Sequence, residues 1–335
     1  MPPSFPLLGD GMESWFQAIT KSGHREVSRM LGLQYFSFND LWSPLILALF
    51  LLIAAVYLFV VGPLSERVTD AEAATTAQKI MFIIGLAVFY LAQAGPFNLL
   101  GHVMFSFHMV SMALSYLVAP PLLMKGLPIW VWRKIIRWLP ARQLSFLAHP
   151  IVAALLFNGL FSLYHLPVVH DYVMLHFTVH RLYYAVLFIT SMLMWWTLLN
   201  PLPEARQASG LSKIGFIFLN MVLLTPACGL IIFASEPLYE TYSNPAVWAE
   251  AMRYCVSGDS SALLRTFGGP GFFNFLSSAK EDQQVGGIVM KFIQEGIFVS
   301  MLAYVFFQWY RKEKREDDDD PYPVERSGGP LNPAK

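Results

Sequence analysis

Charged residues are scarce in this chain. Only 14% of its 335 residues are Asp, Glu, Lys or Arg, against roughly 25% in an ordinary soluble domain. Twenty-three basic and 23 acidic residues cancel to a formal net charge of zero. The sequence therefore offers neither a basic face for nucleic acid nor the net charge that keeps a soluble monomer dispersed. Cysteine is nearly absent: Cys228 and Cys255 stand apart with no CxxC, which argues against a disulfide framework and against thiolate zinc or redox sites. No Gly-rich phosphate loop, HExxH or nucleophile elbow occurs. No internal repeat is visible, and Met1–Leu8 lacks the basic start and long apolar core of a secretory signal.

What the chain has in abundance is apolar surface, at 55% of residues. A spanning helix needs about 20 mostly apolar residues, because lipid cannot satisfy backbone polar groups. Seven runs meet that demand: Leu41–Val61, Lys79–Ala94, Leu99–Val118, His149–His165, Tyr172–Leu199, Ile214–Ala234 and Gly286–Trp309. Gly62-Pro63, Gly95-Pro96, Pro120-Pro121, Pro167 and Pro201 mark boundaries. The expected fold is an all-α polytopic integral membrane protein with seven transmembrane helices. Lys and Arg concentrate in alternate loops, at Arg67 and Lys79, Lys125 to Arg142, Arg206 and Lys213, and Arg311 to Arg315. The positive-inside rule then places the N-terminus outside and the C-terminus inside.

Three regions follow: an extracytoplasmic segment 1–40, a membrane domain 41–310 with a long outer loop 235–285, and a charged cytoplasmic tail 311–335 expected to be disordered. Met12, Trp15, Phe16 and Ile19 recur at helical spacing, as in a helix on the outer leaflet or packed on the outer loops. Trp132, Ile135, Ile136 and Leu139 form an apolar stripe opposite Arg133, Lys134 and Arg137, the pattern of an inner-leaflet helix. Trp248, Met252 and Cys255 read as one packed face of a short outer helix.

Against this apolar background histidine stands out. Seven of eight histidines lie between His102 and His180, and ionisable groups at membrane depth tend to mark sites. With the third span beginning outside, His102 lies one turn in, and His108 is about 9 Å deeper at about 1.5 Å per residue. His165 and His170 flank the fourth and fifth spans, and His176 and His180, at i and i+4, share one helical face. His149, before Pro150, reads as a helix start. Met112 stands at i+4 from His108, Met109 at i+7 from His102, and Met104 one turn before His108. Imidazole with thioether and no thiolate suits Cu(I) in transit. Alternatives remain open at this point. Each histidine could serve interhelical hydrogen bonding, the methionines could be packing, and a haem could lie between the third and fifth helices. Lys291 and Glu295, at i and i+4, predict an ion pair. Arg181, beside His180, is expected to find a carboxylate such as Glu295 or Asp171, or else to face an aqueous cavity.

The segments FSFNDLWSPLILALF (36–50), FSFHMVSMALSYLVAPPLL (105–123), His149-Pro150 and YHLPVVHDYVMLHFTVHRLYYAVLFITSMLMWW (164–196) carry a family likeness. Through them the sequence resembles CtaG in its Gram-positive form, an assembly factor for caa-type cytochrome c oxidase, over most of the chain up to about residue 310. Relatives carry HMxxH on the third helix. His108 and Met109 match that motif, and Met112 stands where its second His would fall. His165, His176 and His180 fall at family histidines. The resemblance implies a non-catalytic bacterial cell-membrane protein whose partners are oxidase subunits and the lipid bilayer. With the spacing read above, the candidate copper ligands are His102, His108, Met109, Met112, His165, His176 and His180, with His170 and Met104 as further candidates and Arg181 behind them. A haem-binding redox protein and a metal-free scaffold are the competing expectations. A homodimer is left open by the Gly- and Ser-bearing helices.

Overall fold

A computed structural model describes residues 33–68, 72–138, 146–204, 207–256, 258–273, 276 and 278–318, with no side chains described beyond 314. The expected amphipathic helix at 12–19 and the tail beyond 318 lie outside the described residues. Among those described, regular structure is helical, with no strand. Six helical stretches are long and apolar enough to cross a membrane, or seven when one bent pair counts as a single crossing.

The chain enters through a short α1 (Phe38–Trp42), closed by a capping box in which Ser37 and Asp40 exchange hydrogen bonds, and then α2 (Pro44–Val61). The next crossing comprises α3 (Thr76–Gln93) and α4 (Pro96–Val103). Gly95-Pro96 was expected to end this crossing, and it does not. Proline at the first turn of a helix loses no hydrogen bond, so the chain restarts at once as α4 and turns only at Met104, in extended conformation (φ −132°, ψ 131°). The return arm is α5 (Phe105–Ala113), a wide π turn at Leu114–Val118, and α6 (Ala119–Gly126). The third crossing therefore begins at Phe105 rather than Leu99, and Pro120-Pro121 lies inside it.

The wide turn has a specific cause. Pro120 has no N–H to offer the carbonyl four residues back, so Tyr116 O is left without its helical partner. Ser191 Oγ (2.5 Å) and Trp195 Nε1 (3.2 Å) donate to it instead. The chain continues through α7 (Ile129–Trp138), α8 (Pro150–Tyr164), α9 (Pro167–Leu175) and α10 (Phe177–Leu199). His149 caps the start of α8, as expected. Helices α8 and α9 meet at 80°. The chain then breaks at His176 and α10 starts at Phe177, so Tyr172–Leu199 is not one continuous span.

Helix α11 (Gly210–Ile232) pairs antiparallel with α15 (Ala279–Asp318), and between them lie α12 (Glu240–Ser243), α13 (Pro245–Met252) and α14 (Ser260–Phe267). Inside the bundle Asn158 of α8 donates to Asn220 of α11 at 2.7 Å. At the end carrying α7, Arg133 forks onto Glu204 at 2.7 and 3.1 Å and holds that carboxyl down at about 2.

Small residues set the helix spacing, as they do where helices must touch without a hydrophobic drive. A Cβ on Gly126 would stand 2.6 Å from both Cβ and backbone N of Phe82, and Tyr57 O–H donates to Gly126 O at 2.7 Å. Gly126→Val is therefore expected to cost about 1–3 kcal/mol through overpacking. Thermal unfolding in detergent checks this, and an unchanged midpoint would refute the contact.

Candidate functional site

The histidines gather where helices stop. Met104 forms the tip of the α4–α5 hairpin, so His102 and His108 sit on opposite arms instead of at two depths of one helix. A Cβ on Gly101 would come within 3.1 Å of His108 Cα, which shows how closely the arms approach. The expected i+7 relation of His102 to Met109 is lost with the break. His165 ends α8 and His170 lies in α9.

The rings form two groups. His108 stands with ring centres 5.3 Å from His170 and 6.2 Å from His165. His102 and His180 form a second pair at 5.6 Å. His176 joins neither group, because the break at 176 separates it from α10. It is exposed and stacks on Tyr172 at 4.1 Å. The expected shared face of His176 and His180 does not form.

Helix ends also set the imidazole tautomers. Nδ1 donates to the carbonyl four residues back in His102 (Asn98 O, 2.8 Å), His165 (Phe161 O, 2.7 Å) and His176 (Tyr172 O, 2.7 Å). A carbonyl only accepts, so Nδ1 carries the proton and Nε2 keeps its lone pair. In His170 the Nδ1–H points to Asp171 at 3.4 Å. Seven buried side-chain nitrogen or oxygen atoms lack a hydrogen-bond partner among the described residues, and three are Nε2 of His108, His165 and His170. Buried polar atoms are seldom left so; in His165 and His170 the committed Nδ1–H leaves a lone pair on Nε2, and such nitrogens suit a metal ion. Two imidazoles on one ion have ring centres roughly 5–6 Å apart, given about 2.0 Å for each metal–nitrogen bond. The His108–His170 separation falls in that range and the His108–His165 separation of 6.2 Å lies just beyond it; no three His, Cys, Asp or Glu side chains among the described residues are posed to enclose an ion.

The methionines are placed differently. Met109 faces α15, where a Cβ on Gly286 would come 3.1 Å from its Cγ. Met112 is fully buried in the main apolar core, and Met104 packs with Leu99, Trp248 and Phe273. Arg181 has no carboxylate within ion-pair reach among the described residues; its guanidinium lies 5.2 Å over the Phe177 ring. Lys291 and Glu295 form the expected pair at 2.6 Å. Asp171 instead accepts from Glu240 N, Thr241 N and Thr241 Oγ1 at 2.7–3.2 Å.

Several residues of the site were not anticipated. Tyr239 O–H donates to His165 O (2.8 Å) and its ring lies 4.5 Å from His170. Tyr242 O–H donates to Gly101 O at 2.5 Å. Segment 239–256 thus closes over the histidines, with Trp248 and Met252 buried beneath it as the packed face foreseen. Met174 follows His170 at i+4, a spacing visible in the sequence, and Tyr164 O–H points to its sulfur at 3.6 Å.

Asp282 fixes the floor. Its carboxylate accepts from Phe105 N (2.6 Å), Ser106 N (3.4 Å) and Ser106 Oγ (2.5 Å) at the start of α5. Asp282→Ala would strand two buried N–H groups, at about 1–3 kcal/mol. The expected results are a lower unfolding midpoint and faster amide exchange at Ser106; unaltered exchange there would show that the cap is dispensable.

Comparison with curated proteins and with solved structures gave no match. A family model for the cytochrome c oxidase caa3 assembly factor (Caa3_CtaG) matches residues 55–312, a stretch that takes in every helix from the end of α2 into α15. With its bundle of apolar helices, this chain is a multi-pass bacterial membrane protein, and it belongs to the family of caa3-type cytochrome c oxidase assembly factors.

Proposed function

We propose that the chain serves oxidase assembly by holding Cu(I) at the His108, His165 and His170 cluster and releasing it to a copper centre of the oxidase. The observation that carries this reading is the trio of buried Nε2 atoms without partners. Neutral imidazoles are soft enough for Cu(I) and, unlike thiolates, permit the ion to leave. Asp171 supports His170 from behind, as carboxylates commonly do for metal-binding histidines. The aromatic wall of Phe105, Tyr164, Tyr239 and Tyr242 keeps the pocket dry.

The packing favours an ion over a haem. Tyr239 and Tyr164 rings lie 4.5 and 5.2 Å from His170, leaving little width for a macrocycle. The site lies at the end of the bundle opposite Lys125 and Arg133, so the positive-inside rule turns it toward the outer face. In the expected cycle, oxidase subunits receive the ion from the chain, which itself carries out no chemical conversion.

Copper per chain after loading with Cu(I), measured by mass spectrometry of metal content, tests this. His108→Ala, His165→Ala and His170→Ala are each expected to weaken binding by tenfold or more, and Asp171→Asn by about tenfold. Unchanged copper content in all three histidine variants would sink the assignment. A Soret band in purified protein would favour haem instead.

A further inference from the structure

A small cavity lies beside the histidine cluster. It is lined by His102, His180, Met174, Cys255, Arg181 and Tyr184 among others, and its volume is about 20 Å³, room for one water or one ion. His102 and His180 come from two different crossings, their ring centres 5.6 Å apart. The His102 Nδ1–H is committed to Asn98 O, so Nε2 holds the lone pair. His180 is 9% exposed, and its ring nitrogens make no hydrogen bond among the described residues. Met174, 1% exposed, lines the same wall, its sulfur accepting from Tyr164 O–H at 3.6 Å.

We infer that His102, His180 and Met174 form a second, separate Cu(I) site beside the deeper cluster. Two imidazoles and one thioether make a soft neutral donor set that suits Cu(I) over zinc or magnesium. The inference takes its choice of metal from the copper reading above, but its position rests on this cavity alone. Met174 adjoins both places: it lies on the α9 face that carries His170, and Tyr164, which lies against His108, points its hydroxyl at the Met174 sulfur.

Arg181 gives the site its character. Its charge lies on the cavity wall, and a nearby cation disfavours another. Three neutral donors beside a guanidinium hold an ion loosely, as suits a place of entry or exit. The Cys255 thiol lines the same wall, a further soft donor beside the site, and an ion seated there shields it from alkylation.

The test uses detergent-solubilised full-length protein titrated with Cu(I) against a colorimetric Cu(I) chelator, with X-ray absorption on the loaded samples. Wild type is expected to hold two ions. Met174→Leu, which keeps the apolar bulk, is expected to hold one, to lose the sulfur scatterer, and to leave Cys255 open to maleimide. His170→Ala is expected to hold one ion and keep the sulfur scatterer. Arg181→Gln is expected to tighten the shallower ion several-fold. A single ion lost in Met174→Leu but kept in His170→Ala supports this site and sinks the deep one. Full stoichiometry with an unchanged sulfur signal in Met174→Leu overturns it, as does a wild type that binds a single ion lost only in His170→Ala, or no ion at all.

Discussion

The Asp282 carboxylate at the head of α5 is the contact on which the histidine end depends. In a bilayer a backbone N–H without a partner costs several kcal/mol. Helix α5 begins inside the bundle, behind a Met104 that offers no side-chain cap. Asp282 reaches from the last crossing to supply it, and Gly286, one turn on, lets α15 approach Phe105 and Ser106 closely enough for this to happen. Once α5 is pinned, His108 falls one turn below the cap and the hairpin tip throws His102 onto the opposite arm. Asp171 acts likewise at the start of α12. It accepts from Glu240 N and Thr241 N, drawing Tyr239 and Tyr242 over the pocket. Two carboxylates thus anchor two helix starts, and the histidines lie between them.

This arrangement explains what the sequence made legible and what it hid. Hydropathy marks the apolar lengths of the crossings, since each must be long enough whatever its partners. It cannot show breaks. Gly95-Pro96 looks like an end and is a restart. Met104 and His176 look like helix interiors and are the true breaks. Both break residues are extended, and nothing in their side chains announces it: at Met104 the helix start that follows is held by Asp282, far away in sequence. Arg181 was expected to find Asp171 or Glu295, but each had a nearer claim, one on the α12 backbone and one on Lys291 four residues away. Tyr239 and Tyr242 carried no signal, because only the closing of the long loop gives them a role. Met174 was visible by its spacing to His170 and lay among too many methionines to be singled out.

The breaks also prepare the chemistry. A helix that stops leaves carbonyls without amide partners, and a histidine at that stop can fold its Nδ1–H back to one of them. His165 and His176 do so, each onto the residue four positions earlier, and His102, in the last turn of α4, folds back likewise onto Asn98 O. The backbone pays nothing extra for this, and the result is an imidazole with fixed tautomer, fixed plane and an exposed lone pair on Nε2. Where the ring nitrogen is buried, as in His165, that lone pair has no partner among the described residues. Where it is exposed, as in His176, water competes and the same local geometry carries no such demand. Equal spacing along the chain therefore does not make equal histidines; burial by Tyr239, Tyr242 and the α4–α5 hairpin decides which of them keep an unsatisfied nitrogen.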